Sequence, residues 1–129
     1  MLKSVVIGVV LAASAVTMAS AADAPAVARK VLSQQDVLNN QTMATIDVVF
    51  PAGSREGRHT HSGPLMIYVL SGVLSLDNEG KPQTDFKAGE VAYIETGKIH
   101  EGLNKGSEPV HVVAVYTGPK AAPITTAAQ

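Results

Sequence analysis

Two histidines lie one residue apart in the stretch "GSREGRHTHSGPLMIYVLSG", which runs from Gly53 to Gly72. The chain has four histidines, and His59 and His61 are two of them. Successive side chains of a β-strand point to opposite faces, so residues two apart project from the same face. If this stretch is a strand, both imidazoles therefore lie on one side of it, which indicates a shared ligand.

A second histidine element follows in "AGEVAYIETGKIHEGLN", which runs from Ala88 to Asn104. Glycines frame both elements at regular intervals. In the first, five residues separate Gly53 from the His-x-His pair, and ten separate that pair from the closing glycine. The second has intervals of seven, two and three residues between Gly89, Gly97, His100 and Asn104. The two elements together are far more specific than a lone His-x-His.

These paired elements resemble the two sequence motifs of the cupin superfamily, whose members are small double-stranded β-helix barrels. The motifs cover about half of the chain beyond its leader. The resemblance implies an all-β fold, a double-stranded β-helix of the cupin or jelly-roll type. It also implies that one metal ion is held inside the barrel by His59, His61 and His100.

The chain departs from the superfamily pattern at two positions. A glutamate ligand is usual four residues beyond the His-x-His pair, and this chain has Leu65 there. Glu95 stands where the second motif usually has proline. Some cupin dioxygenases use a three-histidine iron site without glutamate, so Leu65 does not exclude metal chemistry. Glu95 and Glu101 are candidates for a replacement oxygen, although Glu101 neighbours His100 and should point the other way.

Three imidazoles are sufficient donors for a divalent transition metal, namely Fe, Zn, Ni or Cu. They leave coordination positions open for water, substrate or dioxygen. Without the carboxylate, the site has one negative charge fewer and should favour such metals over harder cations such as Mn²⁺. We expect the ring nitrogens to converge within about 3–4 Å, the separation of ligands around one metal, and Leu65 to point at the same centre.

The remaining polar and aromatic residues near the motifs have structural interpretations. His111 lies outside both motifs and is interpreted as a solvated or packed histidine, and Asn104 as a residue that shapes a turn. Met66, Tyr68 and Tyr93 are interpreted as packing residues. The loop charges are interpreted as a solvated cluster, with reception of an anionic substrate as the alternative; they are Arg55, Glu56 and Arg58.

The elements that must position the histidines are short strands. Apolar and β-branched stretches alternate with turn signals containing Gly, Pro, Asn or Asp. They are Thr42–Phe50, Met66–Leu70, Val73–Leu76, Val91–Ile94 and Val110–Tyr116. The pattern predicts one barrel domain over residues 31–118, with a loose segment from Asp23 to Arg29. The low-complexity tail over 119–129 is expected to be either bound to the surface or flexible. The stretch "KVLSQQDVLNN" fits either a strand or a helical turn.

The first residues predict export. Residues 1–22 have a basic Lys3, an apolar run and a small-x-small site at Ala19-Ser20-Ala21, which together are typical of a secretory signal peptide. The run is shorter than the roughly 20 residues that span a bilayer, which argues against a membrane anchor. The prediction is therefore a periplasmic or secreted protein, free of the membrane after cleavage. It has no cysteine, so its stability comes from the core, with or without a metal or a second subunit.

The composition limits the classes of molecule that the chain is expected to bind. Without Lys3 the chain has nine basic and 11 acidic side chains, a net charge of −2, which argues against nucleic acid. Both faces of "MIYVLSGVLSL" are apolar, so we expect a homodimer formed through an outer sheet face.

A small molecule is the expected ligand. Two classes remain: a non-haem metal-dependent oxygenase, for which no catalytic residue is assigned, and a non-catalytic metal-bound or ligand-binding module.

Overall fold

The computed structural model describes residues 23–129 and has ten β-strands and no helix in that range. The predicted all-β class is therefore confirmed. The predicted signal peptide lies outside the described residues. Within them, no helix has the length and apolar character to cross a membrane. The strands are β1 Ala28–Val37, β2 Gln41–Phe50, β3 His59–His61, β4 Leu65–Ser71, β5 Val73–Asn78, β6 Thr84–Lys87, β7 Val91–Ile94, β8 His100–Leu103, β9 Val110–Pro119 and β10 Thr125–Ala127.

The strands form two antiparallel sheets of five strands each. One has the order β1-β2-β9-β4-β7 and the other the order β10-β3-β8-β5-β6. Neighbours in each sheet come from distant parts of the chain, since β2 pairs with β9 and β3 with β8. This two-sheet barrel is the double-stranded β-helix that the sequence predicts.

Alternating burial along the strands builds the core between the sheets. Along β9, Val110, Val112, Ala114 and Tyr116 are buried, while the residues between them are partly exposed. Residues two apart share a face, so the apolar residues of each strand meet in one interior. The histidine-bearing strands β3 and β8 belong to the second sheet. Their inward side chains therefore face the inward side chains of the first sheet across the shared core.

Both ends of the barrel extend further than the sequence predicts. The loose segment was expected to include Arg29, but β1 begins at Ala28, and Val27 packs against the core. At the other end, the tail over 119–129 lies in part against the barrel, because β9 runs to Pro119 and β10 pairs with β3. All ten residues of β1 are exposed and β10 has three residues. Neither strand therefore carries the apolar alternation by which strands are recognised.

The loop between β3 and β4 passes directly over β9 at Gly63, and we predict that Gly63→Ala strongly destabilises the fold. A Cβ at this position would lie 2.0 Å from the Thr117 carbonyl oxygen and 2.7 Å from the Cα of Gly118. Both are backbone atoms, so relief of the clash requires the loop to move off the strand. We expect a loss of about 3 kcal/mol of unfolding free energy, measured by urea unfolding.

Gly106→Ala is the matched control for that substitution. A Cβ there would make an ordinary contact of 3.4 Å with Asn104 Oδ1, and the backbone is not left-handed. Its unfolding free energy should stay within about 1 kcal/mol of the unmodified protein. Equal stabilities for the two variants would contradict the close approach at Gly63.

Candidate metal centre

The three predicted histidines come together on the inner face of the second sheet. His59 and His61 lie two apart on β3, and His59 is directly opposite His100 on β8. The ring centroids are 4.9 Å apart for His59 and His61, 4.3 Å for His59 and His100, and 4.9 Å for His61 and His100. All three residues are buried. The period-two argument thus places the pair correctly, and strand pairing brings in the third ring.

Hydrogen bonds fix the same tautomer in every ring. The Nδ1 atoms of His59, His61 and His100 lie 2.8, 2.9 and 2.9 Å from the carbonyl oxygens of Gly57, Ile124 and Lys98. A carbonyl oxygen only accepts, so each Nδ1 carries the proton and each Nε2 keeps a free lone pair.

The free nitrogens point to one centre. One ring nitrogen from each histidine lies within 4.8 Å of those of the other two, a looser limit than the predicted 3–4 Å. The Nε2 of His61 is fully buried and has no hydrogen-bond partner. A buried polar atom without a partner is costly, and three lone pairs directed at one point gain nothing from each other. A bound cation satisfies all three, so these residues fit a metal ion.

Burial keeps the rings neutral. Loss of solvation lowers the pKa of His61 to about 4, helped by the neighbouring His100 and His59, while the carbonyl of Ile124 and the charge of Glu56 oppose the shift. Burial also lowers the pKa of His100, against the opposing effect of its bond to Lys98. Neutral imidazole is the form that binds metals. The centre is therefore ready to coordinate a cation at neutral pH without first losing protons from these two rings.

The histidines line a small cavity of about 50 Å³ inside the barrel. Its walls are mostly apolar and include Leu65, which faces the centre as predicted. A water molecule needs roughly 10–15 Å³ of such space, so there is room for an ion with a few small ligands. The other lining residues are Arg29, Ile46, Val48, Phe50, Glu56, Ile67, Leu74, Gly102, Val112, Ala114 and Thr125.

Neither carboxylate suggested by the second motif joins the centre. Glu95 is exposed and lies 3.8 Å from the Lys81 ammonium group. Glu101 is buried but forms an ion pair with Arg55. As expected for the neighbour of an inward-facing residue, Glu101 turns away from the cavity. Among the described residues, no carboxylate oxygen joins the set of nitrogens that lie within 4.8 Å of one another.

Sequence reasoning missed two charged residues of the cavity, Glu56 and Arg29. Glu56 was assigned to a solvated loop cluster, but its side chain is only 12% exposed. Its Oε1 accepts a hydrogen bond of 2.8 Å from Arg29, and its Oε2 accepts one of 3.0 Å from the Gly102 amide. No sequence signal would have found Arg29, since it precedes every recognisable strand. For Glu56 the available signal was its place three residues before His59.

The other polar residues near the motifs hold the scaffold. Asn104 is buried, and its amide group donates to the carbonyl oxygens of Phe50, Pro51 and Glu108, which confirms its structural role. His111 is half-exposed and bonds to the Asp47 carboxylate. It takes no part in the centre.

One methionine and two tyrosines of β4 and β7 were predicted to pack in the core, and the structure places them on the surface instead. Met66, Tyr68 and Tyr93 are 52%, 46% and 59% exposed. They occupy the outward positions of strands whose alternate residues fill the core. The sequence shows both faces as apolar, and it does not show which of them is buried within the subunit.

Comparison with known proteins agrees with the fold. The family model described as the cupin domain matches residues 46–116. An oxalate-binding protein of Thermotoga maritima is 29% identical over 85 residues, which cover 65% of this chain and 69% of that protein.

Two solved structures show the same fold. The DMSP lyase DddQ from Ruegeria pomeroyi DSS-3 superposes with a TM-score of 0.67 at 19% identity, covering 78% of this chain. The match spans 51% of that enzyme, about half of its length. An RmlC-like cupin family protein with a double-stranded β-helix fold, from Methanocaldococcus jannaschii, has a TM-score of 0.63 at 17% identity, covering 76% of this chain and 84% of its own.

Proposed function

Because the cupin domain matches residues 46–116, this chain belongs to the cupin family, and we propose that it binds a divalent transition metal and a small-molecule ligand at its three-histidine centre. The observation that carries the proposal is the buried, unpartnered Nε2 of His61 among three converging rings. Nitrogen donors suit Fe, Zn, Ni and Cu. His59, His61 and His100 would hold the ion, and the other coordination positions stay open for the ligand.

The cavity restricts the ligand to a few heavy atoms and favours an anion. Its volume of about 50 Å³ leaves no room for a bulky group beside a metal. Three neutral imidazoles do not offset the charge of a divalent ion, and the Arg29 guanidinium and Glu56 carboxylate of the same lining form an ion pair without net charge. A small carboxylate would supply the missing negative charge. The name of the oxalate-binding relative from Thermotoga maritima agrees with this class.

The reaction we propose is that of a metal-dependent oxygenase. A bound metal would supply redox chemistry and a common binding point for a small substrate and oxygen. The chain's own residues fix the geometry: backbone carbonyls orient the three rings, and Leu65, Ile67 and Val112 form an apolar wall that limits water. Leu65 leaves free the position that a glutamate ligand usually fills.

A non-catalytic binding module is the second candidate. It is favoured by the composition of the described cavity, in which Glu56 is the one carboxylate and is already engaged by two donors. Apart from the imidazoles, this lining offers few groups for proton transfer. Both candidates bind the metal and the anion, and they differ only in whether a bound substrate is converted to product.

One set of measurements tests both candidates. Protein loaded separately with Fe²⁺, Zn²⁺, Ni²⁺ or Cu²⁺ is assayed for bound metal, and oxalate is then titrated calorimetrically into the loaded and metal-free forms. Stoichiometric metal with metal-dependent oxalate binding supports the shared proposal. Oxygen consumption by the iron form during a screen of small carboxylates supports the oxygenase, and binding without turnover supports the module. Absence of stoichiometric metal in every form would refute both.

We also propose that the protein is exported. The support is the pattern of residues 1–22, a basic residue followed by an apolar run and Ala19-Ser20-Ala21. Fractionation of cells expressing the whole chain tests it. Mass spectrometry of the exported form should find an amino terminus close to Ala22.

Homodimerisation through the outer face of the first sheet is the expected assembly. Met66 lies opposite Tyr93, Tyr68 opposite Val91, and these residues together with Leu70 form an exposed apolar face. Strand β7 is an edge strand of its sheet, and unpaired edges favour association. With about half of each side chain exposed, a symmetric pair would remove on the order of 1,000 Å² from water, the lower range for a specific interface.

Tyr68→Glu tests the dimer. A carboxylate in the middle of this face would have to be buried without a partner, so the variant should sediment as a monomer at micromolar concentration while the unmodified protein sediments as a dimer. Lys30→Glu, an exposed change on β1, is the control and should leave the dimer intact. A monomeric unmodified protein would exclude this assembly.

A further inference from the structure

The β2–β3 loop inserts a carboxylate into the barrel at a position where the neighbouring strand has no side chain. Gly102 and His100 lie two apart on β8 and therefore share the inward face. A Cβ on Gly102 would lie 2.9 Å from Glu56 Oε2 and 3.0 Å from two ring carbons of Phe50. The Glu56 carboxylate thus fills the space next to His100 that any side chain at position 102 would occupy.

This carboxylate is held in place and still has acceptor capacity. One oxygen accepts from the Gly102 amide and the other from the Arg29 guanidinium. An ionised carboxylate has about four lone-pair sites, so two acceptor sites are still free for the cavity. Its side chain is 12% exposed and lines the same cavity as the three histidines. A buried charge in such a place acts strongly on a nearby cation, because little water screens it.

The position of Glu56, beside the inward face of β8 and outside the set of converging nitrogens, suits an indirect contact with a bound metal. Inward side chains two apart on a strand start about 7 Å from each other, and no carboxylate of the described residues joins the nitrogens of the centre. A metal-bound water oxygen lies about 2 Å from the ion and donates a hydrogen bond of about 2.7 Å. One water, or the O–H group of a small bound ligand, would therefore link the Glu56 carboxylate to a bound ion.

We infer that Glu56, supplied by the β2–β3 loop, provides the carboxylate that this centre lacks at position 65, and that it accepts a hydrogen bond from the water or hydroxyl group in the open coordination position. The inference rests on the proposed metal binding. Glu56 is then a positioning residue for the metal and for the metal-bound group that donates the hydrogen bond. Arg29 is the partner that limits the negative charge of Glu56.

Two substitutions that break the same ion pair separate this role from a purely structural one. Glu56→Gln removes the negative charge but keeps an oxygen for the Gly102 amide, so the fold should persist. Its affinity for Zn²⁺ should fall about 10–100-fold, the usual effect of losing a partner behind the ligands. Arg29→Gln leaves Glu56 fully charged towards the centre. Its affinity for Zn²⁺ should rise about two- to fivefold, a smaller change because Arg29 is half-exposed and screened by solvent.

The affinities are measured by competition between the metal-free protein and a fluorescent zinc chelator at fixed ionic strength. Glu95→Gln is the matched control, because Glu95 is also a carboxylate beside a cation but is exposed. It should bind Zn²⁺ as the unmodified protein does. Thermal melts of the metal-free variants verify that each is folded.

The outcomes are distinct. Opposite shifts for the Glu56 and Arg29 variants support the inference. Equal losses in both would assign the ion pair a structural role only, and an unchanged Glu56→Gln affinity would remove Glu56 from the site; either result overturns the inference and leaves the metal centre standing. If the unmodified protein itself fails to bind Zn²⁺ or any other tested metal, the proposed function fails and the inference fails with it.

Discussion

Replacing His100 with alanine is expected to reduce bound metal from about one ion per chain to less than a tenth of that. The ring of His100 is one of three imidazoles whose nitrogens lie within 4.8 Å of one another, and the described residues place no carboxylate among them. With no fourth protein ligand to compensate, the loss leaves two donors, which hold a divalent ion weakly against a chelator. Elemental analysis after dialysis against a mild chelator measures the effect.

His111→Ala is the control for this experiment. His111 is half-exposed on β9 and bonded to Asp47, so its removal should leave the metal content unchanged. His59→Ala should reproduce the loss seen for His100. Equal metal content in all of these variants would show that bound metal resides elsewhere on the chain and would refute the three-histidine centre.

The metal-free protein is expected to lose up to about 3 kcal/mol of unfolding free energy between pH 6.5 and pH 4. Burial lowers the pKa of His61 in the folded state to about 4, whereas the unfolded chain titrates near its ordinary value of 6.5. Between these values the unfolded state binds more protons, so stability falls as pH falls, by about 1.4 kcal/mol per unit for one group. Above pH 6.5 and below pH 4 this contribution does not change.

Urea unfolding at a series of pH values measures this dependence. His61→Gln removes one titrating group and should make the curve less steep within this window. Part of the slope should remain, because burial also lowers the pKa of His100 below its ordinary value. Saturating Zn²⁺ should stabilise the unmodified protein at pH 7 by about 3–4 kcal/mol at several hundred times the dissociation constant. A metal-free stability independent of pH from 6.5 to 4 would show that the ring is solvated or charged in the folded state.

The histidines could be predicted because a local rule places one pair of them and the resemblance to the cupin motifs implies the third. His59 and His61 share a face by the period of two, and the glycine intervals align the second element with the first. The pairing of His59 with His100 is a long-range contact, but it belongs to the expected fold. The interior position of Leu65 follows from the same register, since it is an inward residue of β4.

The charged residues of the cavity could not be predicted in this way. Glu56 reaches the interior because Gly102, 46 residues later, has no side chain there. Arg29 lines the cavity from a half-exposed position, because β1 pairs with β2 along the edge of the first sheet. Both placements depend on tertiary contacts between positions whose local sequence is typical of solvated loops. The same holds for Tyr68, whose outward orientation depends on which face of β4 meets β9 and the core.

The contact between His61 and Ile124 has a consequence for the time at which the centre can form during synthesis. The carbonyl of Ile124 fixes the tautomer of His61, and β10 pairs with β3 from the following residue onward. At about 5–20 residues per second, a ribosome adds the residues that separate these two positions in roughly 3–13 s, and part of that stretch is then still inside the exit tunnel. Throughout this interval the nascent chain presents His61 without its orienting carbonyl. Binding of an ion by three fully oriented rings would therefore follow the release of Ile124 from the ribosome. The metal supply that matters would be the one in the compartment where this late step of folding takes place.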